Sequence, residues 1–249
     1  MRGTAVRSDP IFVRVAADPS LISGIYNTCD QWCMYCPATG RCLAYRCSPD
    51  IQSGKQDIHK NLADRLYEGM TFLKQLCNAE GRPTPEIDEM LSNDLRQTTH
   101  LPKVDDPIQR MGLRYARMSR AYLHSRRDYP FEMRPHVSGP TPFEVFAWFH
   151  MLISVKIYRA LASAAAVARG DESQRNDVFA SAKVALIGIH RSLDAIAAMA
   201  ADDEDPRLEL LQAQLRRLRR EMQGRFPTAL DFMRAGLDRP AEGSPGSLG

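Results

Sequence analysis

The chain is short of the features that announce a reaction. It has no glycine-rich phosphate loop, no nucleophile elbow, no His-Glu-x-x-His and no Glu-x-x-His. The patterns of nucleotide binding, acyl transfer, zinc proteolysis and carboxylate-bridged di-iron bundles are therefore all missing. No apolar run reaches the 18 or so residues that cross a bilayer. The most hydrophobic stretch, 143–168, carries Glu144, Lys156 and Arg159, which marks a buried helix. The opening MRGTAVRSDP has no apolar run for a signal peptide, so the expected location is soluble and cytoplasmic. Charge of one sign is lacking too: 33 basic against 30 acidic residues leave +3, too mild to argue for nucleic acid.

What the chain does have is cysteine in one place. Five of the six cysteines fall in CDQWCMYCPATGRCLAYRC, spaced Cys29-x3-Cys33-x2-Cys36-x5-Cys42-x4-Cys47. Thiolates this close in sequence can converge on one soft metal, and four of them suit tetrahedral zinc or an iron–sulfur cluster. Pro37 and Gly40 supply the turns that a tight metal loop needs. Disulfides are a second reading, weakened by the odd cluster of five and the missing signal peptide. Free structural thiols are a third. Cys77, beside Leu73 and Leu76 on an expected helix, fits that role. The expected ligands are Cys29, Cys33, Cys36 and Cys42, with Cys47 in reserve, and a four-iron, four-sulfur cluster is favoured over zinc.

Three resemblances attach to these residues. Cys36-Pro37 is similar to the Cys-Pro that closes a ferredoxin-type cluster loop. Cys29, Cys33 and Cys36, with Tyr35 before the last, resemble the cluster motif of radical SAM enzymes over eight residues. That resemblance implies a four-iron cluster with an open iron for S-adenosylmethionine. It also implies a barrel of repeating strands and helices and a glycine-rich acidic stretch, neither of which the chain displays. The phrase CDQWCMYC…RC also resembles uncharacterised bacterial proteins with a cysteine-rich start and a helical body, and implies no activity.

The rest of the chain reads as helix. Residues 1–54 form the expected cysteine-rich segment, with strand-like composition at Ile11 to Val15. Residues 55–236 form the expected helical bundle, and 237–249 a disordered Gly/Pro/Ser-rich tail. A first helix is expected over about 57–78, on the stripe Ile58, Leu62, Leu66, Met70, Leu73 and Leu76. A short one follows from Thr84-Pro85. The next starts at Asp105 or Asp106 before Pro107, with Ile108, Met111, Tyr115, Met118 and Tyr122 inward. Thr141-Pro-Phe-Glu144 reads as a capping box. It opens a hairpin of two long helices, about 142–169 and 174–201, broken at Gly170-Asp171. Phe146, His150, Ile153, Ile157, Leu161 and Ala164 line one of them, and Val178, Ala182, Ala185, Ile189, Leu193 and Ile196 the other. Asp202 to Asp205 caps a further helix whose Leu208, Leu211, Leu215, Leu218 and Met222 are spaced as a coiled-coil seam. That seam either packs on the bundle or joins a homodimer through 207–222. A last short helix is expected over 227–235.

The fold class is thus all-α: a bundle of about six helices with an N-terminal cysteine-rich metal-binding loop. Outside the loop, Arg110, Arg114 and Arg117 share one helix face, flanked by Arg120, Arg126 and Arg127. They form either a salt-bridged surface or a docking site for an anion or an acidic protein partner. His190 and Asp194 sit four apart and can pair. His150 reads as a core histidine.

Overall fold

The computed structural model describes residues 18–46, 71, 74, 78, 81, 84–92, 104–126 and 138–238. The chain divides into two compact units, one of residues 1–21 and 43–103, the other of residues 22–42 and 104–249. Among the described residues, all regular structure is helical.

In the first unit, Leu43–Arg46 forms one helical turn and Pro85–Ser92 forms α1. Arg46 holds Asp18 at 2.5 Å. Pro85 occupies the first helical position, where its missing N–H is no loss. Thr84 donates its hydroxyl to Asp88 at 3.2 Å, and Lys74 pairs with the same carboxylate. Of the helix expected over 57–78, Thr71, Lys74 and Asn78 are described, and all three are helical. The expected strand at Ile11 to Val15 lies outside the described residues, as do Cys47, Cys77 and Arg127.

The second unit carries four long helices: α2 (Pro107–His124), α3 (Pro142–Ala168), α4 (Arg175–Met199) and α5 (Pro206–Arg225). Three of the four begin with aspartate or threonine followed by proline. Asp106 accepts from the Ile108 amide at 2.8 Å, and Asp205 from the Arg207 amide at 2.9 Å. At α3 the capping box is complete. Thr141 Oγ1 accepts from the Glu144 amide at 3.3 Å, and Glu144 accepts from the Thr141 amide at 2.7 Å. Such caps contribute about 1 kcal/mol each, because they satisfy amides that the helix leaves orphaned.

α3 and α4 form the central hairpin. Gly170, at φ 100°, ends the first arm in the left-handed conformation that glycine adopts without strain. A 3₁₀ turn, Glu172–Gln174, then leads into α4. Asp177 fastens the arms together. It pairs with Arg159 and accepts from Ser163 of α3 at 2.8 Å. α2 packs on α3, and α5 packs on α2 and α4. The approach is close at Gly112 and Gly188, where an added Cβ would lie 3.1 Å from Ile157 and 2.8 Å from Phe149.

The seam of α5 faces inward. Leu208, Leu211, Leu215, Leu218 and Met222 are all buried within the chain. Each such side chain stabilises the fold by about 1.5–3 kcal/mol. The seam is thus already covered, and a dimer contact on α5 would have to use its outer face, where Leu210 is exposed. Of the expected hairpin stripes, Ala164 and Leu193 are half-buried and the rest are buried.

Two expectations at the C-terminal end need correction. Instead of a helix over 227–235 there is one 3₁₀ turn, Ala229–Asp231, after which Phe232 turns extended. The Phe232 carbonyl accepts from the Lys183 ammonium at 2.6 Å, which takes it out of any helical ladder. The tail expected to be loose from residue 237 is held as far as Asp238, which pairs with Arg234 at 2.7 Å and Lys183 at 2.8 Å.

Candidate metal centre

The cysteine loop between Ile22 and Cys42 is built from three 3₁₀ turns, Ile25–Asn27, Cys33–Tyr35 and Thr39–Arg41. Each cysteine stands at a boundary of these turns. Cys29 follows the first, Cys33 opens the second, Cys36 closes it, and Cys42 closes the third. Short 3₁₀ turns reverse direction quickly, so four thiols are gathered within a few turns of chain. The ends are pinned by the Ile22 amide, which donates to the Arg41 carbonyl at 3.0 Å.

The loop is docked on the helical hairpin. Trp32, 3% exposed, stacks on Trp148 of α3 with centroids 5.2 Å apart and planes 9° from parallel. It meets Phe149 edge-on at 5.9 Å and Tyr35 at 5.1 Å. Asp30 is the polar anchor. Its carbonyl accepts from the Trp148 indole at 3.0 Å, and its carboxylate accepts from the Trp32 amide at 3.2 Å and from Arg191 of α4 at 3.3 Å. Lys156 of α3 donates to the Asn27 carbonyl at 3.4 Å. From the C-terminal side, Gly236 lies so close that a Cβ there would be 2.0 Å from Ile22 Cδ1.

The main chain also turns toward sulfur. Gln31 adopts φ 59°, a left-handed conformation that costs a non-glycine residue about 1–2 kcal/mol. In that conformation its amide donates to Cys29 Sγ at 3.4 Å. The Ala38 amide does the same for Cys36. Hydrogen bonds of this kind favour a thiolate over a thiol.

All four cysteines are unbridged. Their charges interact: burial pushes the Cys33 thiol up to about 12, and Cys29, Cys36 and Cys42 add to the effect. Burial also raises Cys29, opposed by the Gln31 amide and Lys156. Cys36 is raised by burial, opposed by the Ala38 amide and Arg234. The loop thus gathers Cys29, Cys33, Cys36 and Cys42 at the boundaries of its three turns, and Cys33 feels the other three. Among the described residues, however, no three His, Cys, Asp or Glu side chains are arranged to hold a metal ion. The donor chemistry fits a soft metal.

Other expected residues stand apart from the loop. Arg110, Arg114, Arg117 and Arg120 are exposed on α2, with Arg110 paired to Asp105. Arg126 pairs with Asp203 at 2.6 Å. His150 is buried, with Nδ1 2.6 Å from the Ala147 carbonyl. His190 lies 3.4 Å from Asp194, both exposed. A cleft of about 530 Å³ opens at the start of α3, but its polar groups Tyr122, Arg126 and Asp203 already serve one another.

The sequence left Asp30, Trp32, Trp148, Lys156, Arg191 and Arg234 unassigned. Lys156 had a visible signal, a charge inside the most apolar stretch. Asp30 and Trp32 lie within the cysteine motif itself. Trp148, Arg191 and Arg234 gain their roles only through tertiary contact. No protein-family model matches the chain, and no curated protein or solved structure matches it at a significant level.

Proposed function

We propose that this chain is an iron–sulfur cluster-binding protein, with Cys29, Cys33, Cys36 and Cys42 as ligands and Cys47 as the alternative fourth. It would serve electron transfer, redox sensing or maturation of a partner protein. The observation that carries this reading is the docked loop. Four free thiols of one short stretch stand at the boundaries of its three 3₁₀ turns, and main-chain amides point at two of the sulfurs. The left-handed backbone at Gln31 aims its amide at Cys29 Sγ, a contact that favours a thiolate there.

The bound cluster would supply a one-electron couple. The chain's own residues would hold it, shield it and fix its surroundings. The buried Trp32, stacked on Trp148, keeps water off one side of the loop. An acidic partner protein would dock on the exposed face carrying Arg114 and Arg117, remote in sequence from the ligands. The radical SAM reading calls for a barrel of strands, whereas the described residues after the motif form helices only.

The test is purification without oxygen, metal analysis and an absorption spectrum. An iron–sulfur protein is brown and absorbs near about 400 nm through thiolate-to-iron charge transfer. A colourless protein with stoichiometric zinc would make the loop a structural zinc knuckle on a helical interaction module. Exchanging Cys33 and Cys36 together for Ser should strip the metal, while Cys77→Ala should leave it. Full metal content in the double variant would sink the ligand assignment.

A further inference from the structure

Lys156 is the charge that the helical hairpin has least reason to carry. It sits in mid-α3 and is 1% exposed. An ammonium has three N–H donors. Among the described residues Lys156 makes one long hydrogen bond, 3.4 Å to the Asn27 carbonyl, and it forms no ion pair. The nearby acids are engaged elsewhere: Asp177 with Arg159 and Ser163, Asp30 with Arg191 and the Trp32 amide. Burying an ammonium without a partner costs several kcal/mol, so a fold retains one where an anion comes to meet it. The carbonyl it reaches belongs to the residue two before Cys29, and its charge acts on the Cys29 thiol. Burial, and then Arg159, hold its own pKa down to about 8.

We propose that Lys156 is the built-in countercharge of the cysteine loop: a buried ammonium, bonded to the loop at Asn27, that would offset the negative charge of metal-bound thiolates. It is a positioning and tuning residue, not a ligand. The inference rests on the reading of the loop as a metal centre. Four thiolates around zinc or a four-iron core leave the assembly net negative. A buried cation beside it strengthens metal binding and raises the reduction potential of a cluster, because it favours the more negative state. The same anion relieves the lysine, so each group supplies what the other lacks.

The experiment compares the full-length wild type with Lys156→Met, which removes charge and bond together, and Lys156→Gln, which keeps an N–H donor without charge. Exposed Arg114→Gln is the control. Zinc affinity is measured by competition with a chromophoric chelator, and the apo proteins are melted by circular dichroism. Both Lys156 variants should bind zinc roughly tenfold more weakly or worse, as loss of an outer-sphere partner does. Their apo forms should melt no lower than wild type, since an uncompensated buried charge has been removed. Unchanged zinc affinity in both variants overturns the proposal. So does an apo form destabilised in step with its loss of metal, which is the mark of a purely structural lysine. A wild type that takes up neither zinc nor iron overturns the metal-centre reading itself, and this inference with it.

Discussion

Two glycines in the bundle make opposite predictions about the same substitution. Gly188→Ala on α4 would place a Cβ 2.8 Å from Phe149 Cδ1 and 3.0 Å from Ile153 Cγ1. Gly112→Ala on α2 would place one 3.1 Å from Ile157 Cδ1, with the next neighbour at 3.6 Å. Alanine gains about 1 kcal/mol over glycine in a helix interior, and that gain is common to both sites. The difference lies in what must move. Ile157 offers the end of a flexible chain, and a small rotation relieves the contact, so Gly112→Ala should be close to neutral. Phe149 offers a ring that is fully buried, edge-on to Trp32 and beneath Arg191. Overpacking against such a wall costs about 1–3 kcal/mol, which cancels the gain and exceeds it. Gly188→Ala should therefore be less stable than Gly112→Ala by roughly 1–2 kcal/mol, read by urea unfolding under circular dichroism. The chain's two tryptophans are the stacked pair in the loop dock. Their fluorescence should shift in Gly188→Ala alone, because the displaced Phe149 ring reaches Trp32. Equal stability of the two variants, or unchanged fluorescence in Gly188→Ala, would refute this account of how the loop rests on the hairpin.

Two further outcomes follow from charge. A metal held as proposed would have to displace protons from Cys29, Cys33 and Cys36, whose thiols burial raises, so zinc affinity should climb steeply as pH rises from about 6, with release of protons; a flat profile would argue against thiolate ligation. At the C-terminal clamp, burial alone would raise Asp238, but Arg234 and Lys183 hold its carboxyl well below the usual carboxylate range. The stability it contributes is present above the unfolded value of about 3.9 and is lost as pH falls through the folded one. Asp238→Asn should thus lower the melting temperature at neutral pH, with the gap to wild type narrowing in acid; a gap independent of pH would show that the charge is not what holds the clamp.

The helical body was legible because its signals are local and periodic. Asp106-Pro107, Thr141-Pro142 and Asp205-Pro206 each mark a start within one residue, since cap and proline act on the amides next to them. The α5 seam was legible as a stripe, and its burial shows the stripe spent on the bundle. The C-terminal clamp was not legible. Lys183 meets Phe232 across 49 residues, and nothing in the local composition of 227–238 reveals that a carbonyl there will be drawn off by a distant ammonium. Propensity favoured a short helix, and the tertiary bond prevailed. For the loop, spacing singled out the thiols but could not say what they rest on. Trp32 and Asp30 carry no role that spacing reveals, yet they are contacts that fix the loop to α3 and α4.

That division bears on how the centre would work. A loop of three 3₁₀ turns has little hydrogen bonding of its own, and in a small zinc domain the metal must supply the folding free energy. Here the platform exists beforehand. Trp32 is buried by a helix pair with its own core, and Asp30 is gripped by two helices at once. The metal would therefore not be the reason the loop stays in place. It would act on a loop already docked, and any change in charge at the thiols would be felt first by the charges around the loop. Lys156 and Arg191 tie the loop backbone and Asp30 to α3 and α4, the Trp32–Trp148 stack ties it to a half-exposed surface, and the charge of Arg234, in the C-terminal clamp, acts on Cys36. A metal centre mounted this way would be able to change state without unfolding its support, which is what the proposed role as a sensor or electron carrier calls for and a purely structural metal knuckle does not.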